Sequence, residues 1–383
     1  MSDSPRIIHI ITGLSTGGAE MMLYKLLHSM NRDRFESIVI SLRDEGTLGK
    51  TINQEGFTVH TLDMKAGSPS LKAAWRLRRI IRSIKPDLIQ GWMYHGNLAA
   101  FISRVFLDKK VPVLWNIRHS VYNLQYEKKG TAQVIKLGAM LSKRTAKIIY
   151  NARVSAQQHQ ALGYAPNRTV IIPNGFDTQQ FQPSQAAREK LRQALQVPEQ
   201  TVLIGLIARY HPMKDHANFL SAAARLATKE REDVQFVLVG SDVELGNPAI
   251  AALVQRHNLI DRVHLLGERR DISDLTAGLD IASSSSYGEG FPNSVGEAMS
   301  CGVPCVVTDV GDSAWIVGET GKVVPPRDSK ALANAWLELI TMGAERRKQL
   351  GEAARKRVME NFSIMAITPQ YEQVYDEVLA TNR

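Results

Sequence analysis

The sequence predicts an α/β protein made of two doubly wound parallel-sheet halves. Apolar, β-type runs alternate with helical patterns along the chain, which is the signature of βαβ units. The alternation pauses at a polar, helical-looking stretch, QPSQAAREKLRQALQVPEQ (Gln182–Gln200), and then begins again. At 383 residues the chain is also longer than one ordinary core supports.

In the first half the strand candidates are Ile7–Ile11, Ser37–Leu42, Thr58–Leu62, Leu88–Gln90, Val113–Asn116, Lys147–Tyr150 and Thr169–Ile172. Helical patterns such as Ala19–Ser29, Leu71–Ile84 and Gln133–Arg144 fall between them. In the second half the strands are Val202–Ala208, Val234–Val239, Val263–Leu266, Ile281–Ser283 and Val303–Thr308. Helices near Ser329–Met342, Ala344–Glu360 and Pro369–Thr381 close the chain. Residues 1–182 are thus expected to form an N-terminal Rossmann-like domain and 183–364 a C-terminal one. Residues 365–383 are expected as a helix crossing back to the first. Ligands of such sheets bind beyond the carboxyl ends of the strands, here in a cleft expected between the halves.

Hydrophobic residues make up 44% of the chain and aromatics 7%, a balance typical of α/β proteins. No apolar run approaches the roughly 20 residues of a membrane span. The stretch IIHIIT (Ile7–Thr12) is too short for a signal segment and lacks a small-residue cleavage site, so a cytoplasmic location is expected. Cys301 and Cys305 lie four apart around Gly302 and Pro304, which suits neither a redox pair nor a zinc knuckle. They are read as small buried apolar residues.

Charge is unevenly spread. Residues 1–185 hold 25 Lys and Arg against 12 Asp and Glu, whereas the remainder holds 22 against 26. The overall charge of +9 is therefore a property of the first half. Such asymmetry fits either a solvated basic face or an anionic partner: a membrane surface, a lipid phosphate or a nucleic acid. Residues 71–85 (LKAAWRLRRIIRSIK) form a basic helix with an apolar side. EKKGTAQVIKLGAMLSKRTAK adds six lysines and arginines. Basic amphipathic helices dock on anionic bilayers, so an anionic membrane surface met by the N-terminal domain is the expected partner. A nucleic-acid partner would call for aromatics interleaved with the basic residues, and only Trp75 falls in the first basic helix.

Three segments carry chemistry. The first, RIIHIITGLSTGGAEMMLYKLL, is a strand, a glycine loop and a helix opened by Gly17 and Gly18. A helix N-terminus attracts anions, and glycine permits close approach to the backbone. The loop reads G-x-x-x-G-G, unlike the dinucleotide pattern G-x-G-x-x-G, and fits a tight structural turn as well as a ligand loop. The second, LIGLIARYHPMKDHANFL, places Arg209 and Lys214 beyond a buried strand, where two cations suit a diphosphate. In the third, SYGEGFPNSVGEAMSCGVPCVVTD, Glu289 is expected to project from a loop. Pro292 falls near the first helical turn, and Glu297 on the exposed first turns of the helix. The amides of Ser294 and Val295 stand between the two acids, placed for a phosphate. A pair of solvated helix acids would explain Glu297 through the helix dipole but leaves Glu289 and the glycines unaccounted for.

Together these segments resemble the retaining glycosyltransferases of family four, with GT-B architecture, over nearly the whole chain. The marks are the Gly17–Glu20 loop, the IPNGFD turn (Ile172–Asp177), the Arg209 and Lys214 pair, and above all E-x7-E in EGFPNSVGE (Glu289–Glu297). The resemblance implies that Glu297 binds the ribose of a sugar nucleotide and Glu289 holds the transferred sugar near its 3-hydroxyl. Amides from Gly290, Phe291, Pro292 and Asn293 would mark the stretch reading its outer hydroxyls, although proline itself has no amide proton. Ser294 and Val295 would hold the distal phosphate, and Arg209 and Lys214 the leaving diphosphate, with Gly17 and Gly18 closing over it. His119 in WNIRHS matches the histidine near the reacting centre, but Arg118 before it and a serine after it loosen the family pattern.

The resemblance implies transfer of a hexosyl or N-acetylhexosaminyl group from a nucleotide diphosphate sugar, UDP being the default nucleotide. It also implies retained configuration and a glycan or lipid-linked acceptor. No Asp-x-Asp occurs in the sequence, so no metal or cofactor is expected. The rival readings are a GT-B epimerase or phosphorylase, an oxidoreductase and a non-catalytic nucleic-acid-binding protein. The oxidoreductase lacks its fingerprint, and the acids nearest the second strand end, Asp44 and Glu45, fall 26 and 27 residues after Gly18 rather than about 20.

Overall fold

The computed structural model describes residues 4–65, 70–227 and 233–381. The chain divides into two units, Met1–Gly175 with Ile364–Arg383, and Phe176–Ser363. The division falls seven residues before the expected 182/183 boundary. The IPNGFD turn is therefore split between the units, with Phe176 paired to Ser363 in the second.

In the first unit seven strands pair in parallel: β1 (Arg6–Ile11), β2 (Glu36–Ser41), β3 (Thr58–Thr61), β4 (Leu88–Trp92), β5 (Val113–Ile117), β6 (Lys147–Tyr150) and β7 (Thr169–Ile171). Their order across the sheet is β3-β2-β1-β4-β5-β6-β7. Parallel strands need helical crossovers that cover both faces, so the central strands are apolar on both sides, while the edge strand β3 (TVHT) has no fully buried residue. In β1, Ile7 and Ile11 join one core with the helices Gly18–Ser29 and Ile364–Thr381. Ile8 and Ile10 join the other, with Leu71–Ile84, Met93–Ser103 and Lys129–Leu141.

The helix Ile364–Thr381 begins five residues before the expected Pro369. Proline inside a helix removes one hydrogen bond and crowds the preceding turn. Here the buried stripe Ile367, Tyr371, Val374, Tyr375 and Val378 holds the helix on the first sheet across that defect.

The second unit has six strands: β8 (Val202–Ile207), β9 (Val234–Val239), β10 (Val263–Leu265), β11 (Ile281–Ser284), β12 (Cys305–Thr308) and β13 (Lys322–Val324). Their order is β10-β9-β8-β11-β12-β13. Its core gathers Phe219, Phe236 and Trp336 around the strand side chains. The sequence reading omits β13, where only two valines stand between Gly321–Lys322 and Pro325, with no longer apolar run to mark a strand. β12 starts two residues later than expected, after Pro304, which lacks an amide for the ladder. Both cysteines are free and buried, and burial raises both thiol pKa values, that of Cys301 to about 12.

Two buried histidines of the first unit are held neutral. His159 accepts from the Tyr94 hydroxyl on Nε2 at 2.9 Å and donates from Nδ1 to the Ser155 carbonyl at 2.7 Å. The Ser155 carbonyl can only accept, so Nδ1 carries the proton of the neutral ring. Burial lowers its pKa to about 4 and that of His9 to about 3. The unfolded chain therefore takes up protons below about pH 6.5 that the folded unit refuses, and stability falls as pH falls. Each histidine costs about 1.4 kcal/mol per pH unit in that window. Thermal melting is expected to show a lower midpoint at about pH 5 than at about pH 7.5; a midpoint that rises on acidification contradicts this.

Candidate active site

In the second unit β8 runs out through Arg209 into a single 3-10 turn, Pro212–Lys214. Asp215, with φ 50°, then caps the helix His216–Leu226 by accepting the Asn218 amide at 3.1 Å. This cap ends the loop and fixes where Lys214 stands. The neighbouring strand β11 stitches itself to the same loop. Ser285 Oγ donates to the Lys214 carbonyl at 2.9 Å, and the Tyr287 amide to the Met213 carbonyl at 2.9 Å.

Those ties bring Lys214 Nζ to 2.5 Å from Glu289 Oε1, and Ser286 Oγ donates to the same oxygen at 2.7 Å. The two side chains are 26% and 11% exposed, so the pair is largely withdrawn from solvent. Arg209 stays exposed at the strand exit, outside this pair. Burial first, and then the positive charge of Arg209 and Lys214, lower the pKa of His211 in this loop, with Glu289 opposing. The loop therefore presents a positive field around one anchored carboxylate.

The turn after Glu289 is locked from below. The Asp312 amide donates to the Gly290 carbonyl at 2.9 Å. Gly311 lies against the carbonyls of Glu289 and Gly290 with φ +57°. Phe291 is buried in an aromatic cluster, with ring centroids 5.9 Å from Phe176, 6.0 Å from Trp315 and 5.9 Å from Phe362. Phe176 also presses on Gly296, where a Cβ would collide with its ring. This packing sets the start of the helix Asn293–Ser300, with Pro292 at its cap.

Phe291, Pro292 and Val295 are buried, so any part they play falls to the backbone. The less buried positions are Asn293, Ser294 and Glu297, which share one helical face. Glu297 is half-buried on the helix's second turn, rather than exposed as expected. The reason is that the helix has only eight residues and is packed on most sides.

In the first unit, Gly17 caps the helix that begins at Gly18, beyond the carboxyl end of β1. The Glu20 carboxylate folds back over Gly17, filling the place where a side chain would stand, whereas Gly18 faces open space. Burial raises the pKa of Glu20. His119 lies beyond the carboxyl end of β5, its Nε2 2.7 Å from Glu127 Oε1. The Ser155 hydroxyl holds the His119 carbonyl at 2.5 Å.

Three contributors escaped the sequence reading. Glu127 carries no motif and meets His119 through a loop. Ser286 is one of four consecutive serines, and which of them reaches Glu289 depends on where β11 ends. Gly311 is reached only through the turn after β12.

Two all-parallel sheets with helices on their faces, the second presenting E-x7-E beside a lysine at a strand's carboxyl end, define a glycosyltransferase of the GT-B class. Comparison with known proteins narrows that class. Residues 16–180 match "Glycosyltransferase Family 4", and residues 201–342 match "Glycosyl transferases group 1". The chain belongs to this glycosyltransferase family.

Among curated relatives, it is 24% identical over 383 residues to the N,N'-diacetylbacillosaminyl-diphospho-undecaprenol alpha-1,3-N-acetylgalactosaminyltransferase of Campylobacter jejuni, covering 96% of this chain and 98% of the relative. It is 30% identical over 196 residues to the N-acetyl-alpha-D-glucosaminyl L-malate synthase of Bacillus anthracis, covering 51% of this chain and 50% of that one. The solved structure of Anabaena HepE in complex with UDP superposes with a TM-score of 0.82 at 23% identity, over 97% of this chain and 100% of that one. This last likeness shows the fold.

A methyl group at Gly311 must enter the space held by the Glu289 carbonyl and adopt a left-handed backbone. Gly311→Ala is expected to destabilise the second unit by about 1–3 kcal/mol. Urea unfolding followed by tryptophan fluorescence measures it; an unchanged transition contradicts the packing role assigned to Gly311.

Proposed function

We propose that the protein is a retaining, metal-independent hexosyltransferase using a nucleotide diphosphate sugar, with UDP as the nucleotide. The observation that carries this reading is the Lys214–Glu289 pair, with Ser286 on the same carboxylate oxygen, beside a helix N-terminus. Glycosyl transfer breaks the bond between the anomeric carbon and the diphosphate and forms one to an acceptor oxygen. Negative charge grows on the diphosphate as the bond breaks, and fixed donors aimed at it lower the barrier by about 2–4 kcal/mol each. Lys214, Arg209 and the amides of Ser294 and Val295 supply those donors in this proposal.

Glu289 positions the transferred sugar through its 3-hydroxyl, and Glu297 binds the ribose. The backbone from Gly290 to Asn293 lies along the sugar, and Gly17 and Gly18 close over the diphosphate. His119, oriented by Glu127, attends the reacting centre. Retention follows from attack on the same face as the leaving group, the departing phosphate oxygen taking the acceptor proton. Glu289 is not a covalent nucleophile in this scheme, because Lys214 and Ser286 already anchor its carboxylate as a positioning group.

Glu289→Ala and Lys214→Ala are each expected to lower kcat/KM more than about a hundredfold with the fold intact, a loss of about 2.7 kcal/mol or more. Incubation with UDP- and GDP-sugars, with and without acceptor lipid, reads this out and separates transfer from epimerisation or phosphorolysis. Near-normal turnover by both variants rejects the assignment.

The acceptor is proposed to be a lipid-linked glycan in cell-surface polysaccharide synthesis, supported by the diphospho-undecaprenol in the name of the Campylobacter relative. The malate in the name of the Bacillus relative, matched over half its length, marks the soluble alternative. Among the described residues no helix is long and apolar enough to cross a membrane. The proposed location is the cytoplasmic face of the cell membrane, with the protein held peripherally by the first unit.

The apolar side of Leu71–Ile84 cannot supply that attachment, since Ala73, Leu77 and Ile81 are buried against the protein's own sheet. What remains is its outer face, where Lys72, Arg78 and Arg79 stand within one helical turn of Trp75, and Trp75 and Leu71 are 63% and 92% exposed. Each cation near an anionic bilayer contributes about 1 kcal/mol. Sedimentation with anionic vesicles is expected at low salt and to weaken at high salt; failure to sediment at low salt removes the membrane from the proposal.

A further inference from the structure

A second basic site lies at the amino ends of the strands of the first sheet, opposite the carboxyl ends that carry Gly17, Gly18 and His119. At the amino ends of β5, β6 and β7 a cavity of about 620 Å³ opens. That volume falls within the range of small-molecule sites, about 300–1,000 Å³. Five cations line it: Arg104, Lys110, Arg144, Lys147 and Arg168. Among the described residues the one carboxylate on its wall is Glu377, which is exposed and already accepts the Gln373 amide at 3.0 Å.

The neighbourhood shows what this chain does with cations it keeps for structure. On the same edge, Lys109 is held by Asp87 at 2.9 Å and Arg82 by Asp108 at 3.6 Å. None of the five lining cations is in an ion pair among the described residues, and two of them reach backbone carbonyls instead. Arg104 donates to the Arg144 carbonyl at 3.0 Å, and Arg168 only weakly to that of Ala146 at 3.5 Å. Arg168 Nε is buried and makes no hydrogen bond. Clustered like charges repel, and a buried donor left unmade costs about 1–3 kcal/mol. An anion with several oxygens relieves both at once. Guanidinium groups match phosphate in a fork, and lysines add point charge.

We infer that this cavity is a second anion site, which binds a phosphate-bearing ligand independently of the donor site. The ligand is either a free phosphate compound or the headgroup of an acidic lipid, and the chemistry of recognition is the same. Lys110 and Arg144 are exposed, so reversing them leaves the core untouched.

The test is calorimetric titration of the full chain, at fixed ionic strength, with inorganic pyrophosphate and separately with dihexanoyl phosphatidic acid below its micelle concentration. Three forms are compared: the natural chain, Lys214→Ala, and the double variant Lys110→Glu with Arg144→Glu. The expected result is binding of at least one probe that survives Lys214→Ala and weakens at least about tenfold in the double variant. Tighter binding of pyrophosphate assigns a free phosphate compound, and tighter binding of the lipid assigns a headgroup. Binding lost with Lys214→Ala but kept in the double variant overturns the site, as does the absence of binding by both probes. Matching thermal midpoints for the double variant and the natural chain establish that the loss is local.

Discussion

The candidate site depends on one pairing, that of β11 beside β8. Lys214 and Glu289 are 75 positions apart and meet because each follows the carboxyl end of one of these two strands. The register is set at the other end. Asp280 Oδ2 accepts the Leu203 amide at 2.8 Å, and the Asp280 amide donates to the Leu203 carbonyl at 2.9 Å. Arg192 and Arg188 close on the same carboxylate at 2.5 and 2.6 Å, tying the helix Gln185–Leu195 to the strand pair. A slip of two residues would carry Glu289 about 6–7 Å along the strand and out of reach of Lys214. The buried ion group is thus best understood as a register lock, since a buried pair contributes little net stability.

Packing beneath the loops does the rest of the positioning. The turn at Gly290 rests on Gly311, and the helix after it rests on Phe176 through Gly296. The glycines matter here because backbone and ring occupy the space of a side chain. In the first unit a comparable task falls to Arg118, which bonds Asn174, Asn116 Oδ1 at 3.3 Å and the Tyr371 hydroxyl at 2.8 Å. That network joins the end of β5 to the last residues before the unit boundary and to the returning helix. Arg118 therefore has a structural occupation, and its place before His119 in the sequence is explained by it.

Much of the architecture was legible because central parallel strands must be apolar on both faces. Runs such as Ile7–Ile11 and Val234–Val239 announce themselves, whereas the two valines of β13, closed in by Gly321 and Pro325, do not. Pro369 read as a helix start because an interior proline is locally unfavourable, and only the buried stripe on the first sheet outweighs it. The basic helix at residues 71–84 showed an apolar side and a cationic side in its sequence. Which partner took the apolar side was a tertiary matter, and the partner is the protein's own sheet.

By itself the sequence determined the two parallel-sheet units, the loop after β8 with its two cations, and the E-x7-E segment at the exit of β11. Spacing along a chain encodes such local features directly, because strand length, helix capping and glycine turns are short-range. Only the tertiary structure decided that Lys214 and Ser286 share one oxygen of Glu289, that Glu127 orients His119, and that five cations converge at the amino ends of β5 to β7. Those are contacts between segments distant in sequence, set by strand order and register, and no periodicity within any one segment records them.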